Sequence, residues 1–172
     1  MQHIETVTVG SGGTASITFS AIPDTYTDLV VKCSLRGARS ELYELVYLQL
    51  NGSSSSFTRR ILQGTGSSVG SFSVADGYVG ITSGSTSTAN TFGNLDLYLP
   101  NYRSAAAKSI STDSVSENNG TGAYQNIAAT LWNVTDPITS LTIIGNAGNW
   151  LEHSSASLYG ITAGSDGIVA VS

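Results

Sequence analysis

The sequence holds one cysteine, few charges and no long apolar run, and each shortage excludes something. A lone Cys33 leaves no partner for an intramolecular disulfide. It sits in the apolar run Leu29-Val30-Val31-Lys32-Cys33-Ser34-Leu35, far along the chain from His3 and His153. It therefore reads as a small core residue and not as a catalytic thiol. Charged residues make up 11% of the chain, against roughly 25% in an average domain. The seven basic residues are scattered, only Arg59 and Arg60 being adjacent, and the net charge is −5. Nucleic acid, which demands clustered Lys and Arg, is not an expected partner. No apolar stretch approaches the length that spans a bilayer. The opening Met1-Gln2-His3-Ile4-Glu5 lacks the basic and apolar regions of a signal peptide, so folding in a cytoplasm and no membrane partner are expected.

Hydroxyls and small residues fill the place of charge: 27 Ser, 19 Thr, 19 Gly and 10 Asn. A chain of 172 residues suits one domain, which buries roughly two thirds of its unfolded surface without needing cross-links. Its dominant pattern has a period of two. Leu29, Val31, Cys33 and Leu35 alternate with polar neighbours, as do Val46, Leu48 and Leu50, and Leu95, Leu97 and Leu99 ahead of Pro100. Ile127, Ala129 and Leu131 alternate with Ala128, Thr130 and Trp132. This spacing predicts strands with one face on a core. We read strands near 4–9, 15–20, 27–36, 42–51, 57–63, 70–81, 91–99, 107–116, 124–134, 138–145 and 156–162. An optional helical turn falls at 101–106. Gly- and Asn-rich clusters such as Gly10-Ser11-Gly12-Gly13 and Asn51-Gly52-Ser53 supply the turns between them. The expected fold is all-β, a single antiparallel β-sandwich over residues 1–163 with a C-terminal tail at 164–172. Ser53–Ser56 and Ser83–Asn90 read as long surface loops, first of all solvated connections.

No catalytic constellation stands out. The chain has no G-x-S-x-G, no H-E-x-x-H, no P-loop lysine after Gly10-Ser11-Gly12-Gly13 and no Cys pair for zinc. The carboxylate pairs Asp24/Asp28 and Asp113/Glu117 have the residue types a glycosidase uses. Asp113 and Glu117 fall on one face of a predicted strand, where such residues more often meet solvent. No catalytic residue, metal ligand or cofactor is assigned, and no enzymatic activity is expected. Tyr43, Tyr47, Tyr98 and Trp132 lie opposite the aliphatic stripes, where they suit a second small core, a subunit contact or stacking on sugar rings.

Several stretches together resemble small virion proteins of tailed bacteriophages. They are Thr6-Val7-Thr8-Val9, Ile17-Thr18-Phe19, Ile22-Pro23 and Tyr26-Thr27-Asp28-Leu29; Asn90-Thr91-Phe92 and Tyr98-Leu99-Pro100-Asn101-Tyr102; Asp113-Ser114-Val115-Ser116-Glu117-Asn118-Asn119; and Ala156-Ser157-Leu158-Tyr159-Gly160-Ile161. The resemblance spans about Ile4 to Ile161 and carries no catalytic motif. It implies a jelly-roll-like sandwich within a virus particle, associating as a homotrimer. With Met1 almost on the first strand and no shaft repeat ahead of it, the favoured expectation is a capsid decoration (cement) protein on the major capsid protein lattice. The alternative is a tail-fibre receptor-binding or adaptor module that recognises host surface glycans. That module would use its Ser/Thr/Asn loops and Tyr residues, whereas for the capsid partner the expected contact residues are the chain ends: Met1, Gln2 and His3, and the apolar Ile168, Val169 and Val171, which gain by burial on a neighbour.

Overall fold

The computed structural model describes residues 1–118 and 122–163. These contain no helix. Twelve strands follow one another: β1 (Gln2–Thr8), β2 (Ser16–Phe19), β3 (Asp28–Leu35), β4 (Tyr43–Leu50), β5 (Phe57–Gly64), β6 (Val69–Val74), β7 (Tyr78–Ser83), β8 (Gly93–Leu99), β9 (Lys108–Ser116), β10 (Tyr124–Trp132), β11 (Leu141–Gly145) and β12 (Ser155–Ile161). They form an eight-stranded sheet, β1-β12-β3-β8-β9-β10-β5-β6, and a four-stranded sheet, β2-β11-β4-β7. Neighbouring strands in both sheets run antiparallel. The two pack face to face as an all-β sandwich, as the alternation predicts.

The main core lies where the periodicity puts it. Leu29, Val31, Cys33 and Leu35 of β3 and Leu95, Leu97 and Leu99 of β8 meet Ile17 and Phe19 of β2, Val46, Leu48 and Leu50 of β4, and Leu141 and Ile143 of β11. Cys33 is enclosed, and burial, with a smaller push from Asp96, lifts its thiol far above the ordinary range. It is a core residue with no thiolate character.

Three details depart from the expectations. The stretch read as one strand at 70–81 is two, β6 at the edge of the large sheet and β7 at the edge of the small one. The chain changes sheets across Ala75-Asp76-Gly77. Asp76 Oδ1 accepts the Tyr78 amide at 3.1 Å, and a Cβ on Gly77 would stand 2.5 Å from the Leu48 carbonyl oxygen. The phase of β10 is inverted. Trp132 is buried in the main core, 30° from parallel to Phe57, while Ile127 is 53% and Leu131 38% exposed. Asn126, Ala128 and Thr130 face inward with Trp132. Residues 101–106 form turns, with no helix.

Two buried cations tie the loops. The Arg36 guanidinium donates to the carbonyls of Ser85, Ser87, Thr88 and Thr91, so the 83–90 loop wraps around a cation. The Lys108 ammonium donates to the carbonyls of Ser104, Ala106, Thr135 and Asp136. It joins the turn after β8 to the segment after β10. Burial lowers its pKa, and Asp136 partly restores it.

Candidate functional site

Alternation sends Glu44, Val46, Leu48 and Leu50 of β4 inward, which leaves Tyr43, Leu45 and Tyr47 on the opposite face. A bulge in β7 extends that face. Val46 pairs with Gly80 but Tyr47 pairs with Tyr78, so Val79 is the extra residue. The skipped position turns Tyr78 onto the same face as Ile81, although the two are three residues apart. The β10-β5-β6 end of the large sheet reaches past the β7 edge and meets this face. Ile61 and Ala128 join Tyr78 and Ile81 in a second cluster, with Tyr43, Leu45, Tyr47, Val74 and Tyr124 packed against it.

Between these elements opens a cleft of about 270 Å³, lined by Tyr43, Leu45, Tyr47, Arg59, Gln63, Phe72, Tyr78, Ile81 and Tyr124. Its rings stand edge to face: Tyr43 and Tyr124 at 5.1 Å between centroids, Tyr47 and Tyr78 at 5.8 Å. Arg59 forms its floor. The guanidinium lies over the Tyr78 ring at 3.9 Å, donates Nη1 to the Tyr78 carbonyl and pairs Nη2 with Asp76 at 2.9 Å. Its Nε, also buried, has no hydrogen-bond partner. Burial lowers the Arg59 pKa, while Asp76 works the other way. Burial raises the pKa of Tyr47 and of Tyr78, which keeps both hydroxyls protonated as donors. The Asn126 amide donates to the Tyr78 hydroxyl at 2.8 Å.

The outer face of the large sheet is a second surface. Across it, one register row runs Leu62, Ile127, Asp113, Asp96, Lys32, Ser157, Thr6. Leu62, Ile127 and Leu131 form an exposed apolar island at the β5/β10 end. Lys32 and Asp96, 2.5 Å apart, are a solvated ion pair mid-sheet, and Thr6 and Ser157 share a hydroxyl hydrogen bond at 2.8 Å. Of the residues expected to bind a partner, Met1 is half-exposed beside the β1 edge. Gln2 and His3 lie in β1, opposite Gly160 and Tyr159. The His3 ring hydrogen-bonds Thr6 and meets Tyr159 edge-on. Ile168, Val169 and Val171 lie outside the described residues. Five strand spacings, about 24 Å, separate β1 from the apolar island on β10.

The members of the two carboxylate pairs sit in different surroundings. Asp28 is buried and accepts the Tyr98 hydroxyl at 2.8 Å and the Asn101 amide at 2.7 Å; Asp24 is exposed and lies beside Arg103. Asp113 projects from the outer face of β9, whereas Glu117 falls past the end of that strand. Among the described residues, no three His, Cys, Asp or Glu side chains come together as a metal site, and no helix is long and apolar enough to cross a membrane. The tyrosine cleft was half legible, since Tyr43 and Tyr47 stand out as aromatics on the polar face of a strand. Tyr78, Tyr124 and Arg59 were not, because a bulge and a change of sheet bring them there. A scan against protein-family models and a search of curated proteins each found no match.

Proposed function

We propose that this chain is a non-catalytic virion structural protein, a capsid decoration protein that docks on the major capsid lattice through the outer face of its eight-stranded sheet. The observation that carries this reading is the exposed island of Leu62, Ile127 and Leu131. A strand that hides Asn126 and Thr130 while showing Ile127 and Leu131 to solvent reverses the usual economy of burial, which is what a surface covered by a partner requires. Leu62 and Ile127 are direct cross-strand neighbours, and Leu131 lies two pairs further along β10 on the same face, beyond Ala129 and Arg60. The face beyond it is mainly hydroxyls with one ion pair, suited to many modest contacts that a repeating lattice makes collectively strong. The resemblance to phage virion proteins points the same way. Pairing of β1 with β12 and of β2 with β11 supports a jelly-roll-like winding, and association as a homotrimer goes with the same reading.

Quantitative mass spectrometry of purified particles tests it. The expected copy number approaches that of the shell subunit, with heads stripped of the protein failing at lower temperature. Ile127→Asp should lower occupancy at least about tenfold, the effect of losing roughly 1.4 kcal/mol per contact. A few tail-associated copies, with free protein blocking adsorption to host cells, would replace this reading with the receptor-binding one.

A further inference from the structure

The tyrosine cleft lies on the other side of the molecule's chemistry from the outer face, and it has the makings of a ligand site in its own right. We propose that it binds one neutral pyranose ring of a glycan, independently of docking through the outer face. Four of the chain's eight tyrosines converge there from β4, β7 and β10. At about 270 Å³ the cleft falls below the roughly 300–1,000 Å³ of sites for drug-sized ligands, which leaves room for a single ring.

The lining selects the chemistry. Aromatic rings present negative faces to the weakly positive C–H groups of a sugar; Arg59 already lies over Tyr78 and Arg39 over Tyr43, which leaves Tyr47 and Tyr124 to meet the sugar face. Gln63 adds an amide able both to donate and to accept. An anionic occupant gains little, because Asp76 already neutralises Arg59 at 2.9 Å. What remains is a neutral ring with hydroxyls at its rim and C–H groups on its face.

Saturation-transfer NMR on the intact chain tests this with the methyl pyranosides of glucose, galactose, mannose and N-acetylglucosamine, and with glucuronate as the charged probe. At least one neutral pyranoside should show transfer, with a Kd on the order of millimolar for so few atoms. Tyr47→Ala and Gln63→Ala, each checked for an unchanged far-UV spectrum, should weaken binding at least about fivefold. Ile127→Ser should leave it unchanged. No transfer to any neutral pyranoside, transfer that survives both cleft substitutions, or a preference for glucuronate would each overturn the proposal. None of those results bears on particle copy number, so docking and sugar binding fail separately.

Discussion

The interior of the sandwich has two unlike halves. Beneath β3, β8 and β12, facing β2, β11 and β4, it is built from Leu, Ile, Val and Phe with Ala156 and Cys33 among them. Where β7 lies over β9 and β10, the polar residues Thr82, Ser83, Thr112, Ser114, Asn126 and Thr130 are buried among Val79, Ile81, Ile110 and Ala128. The sheets come close in the second half. A Cβ on Gly80 would sit 2.6 Å from Ser114 Oγ, and that hydroxyl accepts the Ile81 amide at 3.2 Å. The polar half is also incompletely satisfied: Thr112 Oγ1, Thr130 Oγ1, Asn126 Oδ1 and Arg59 Nε have no hydrogen-bond partner among the described residues. Each such group costs about 1–3 kcal/mol. The apolar half thus holds the fold, and the polar half, at a cost in stability, keeps β7 and its bulge where Tyr78 completes the cleft.

The sharpest way to break this comparison is along β10, which belongs to the polar half except at its end. Trp132→Ala should cost about 4 kcal/mol in urea unfolding, as expected for a large enclosed aromatic. Ile127→Ser, on the outer face of the same strand, should change stability by less than about 0.5 kcal/mol. Comparable losses at both positions would mean that the strand does not bury the polar face. Next in size, Lys108→Met should cost about 3 kcal/mol, because four carbonyls lose the ammonium that gathers them. That variant should also speed amide exchange in the segments 101–107 and 133–137.

A smaller effect depends on pH. Glu44 is wholly enclosed. Burial raises its pKa above the usual 4.5, against opposing contributions from the Leu45 and Asn146 amides and from Arg39. The folded chain therefore holds this proton more tightly than the unfolded chain. As pH climbs from about 4.5 through the folded value, the unfolded state deprotonates first and stability falls. Glu44→Gln retains an oxygen for the two amides and removes the titration. Thermal melts from pH 4 to 8 should show a shallower decline in the variant; parallel curves would remove Glu44 from the account.

Alternation made β3, β4 and β8 legible, because aliphatic residues recur there at every second position and the same face is buried throughout. It misled at β10, where Ile127, Ala129 and Leu131 look like a core stripe but face solvent. Periodicity finds the phase of a strand only when the apolar face is the buried one. It also joined β6 to β7. The separator, Ala75-Asp76-Gly77, is short and carries one weak turn signal, and a change of sheet leaves no mark in hydropathy. Of the cleft, Tyr43 and Tyr47 were visible as aromatics on a polar face. Arg59 was not, since its burial depends on Asp76, within that unseen break, and on the Tyr78 ring just beyond it. The roles of Arg36 and Lys108 were equally hidden, because a cation satisfied by backbone carbonyls has no signature in the sequence.

The division of the interior is tested most directly by unfolding two variants side by side in denaturant. Leu97, fully enclosed on β8, should lose about 3–4 kcal/mol on replacement by Ala. Tyr47→Ala, in the cleft, should lose only about 2 kcal/mol, one edge-to-face ring contact together with the burial of a half-buried ring. Equal losses would contradict the account, since the cleft would then be part of what holds the sheets together.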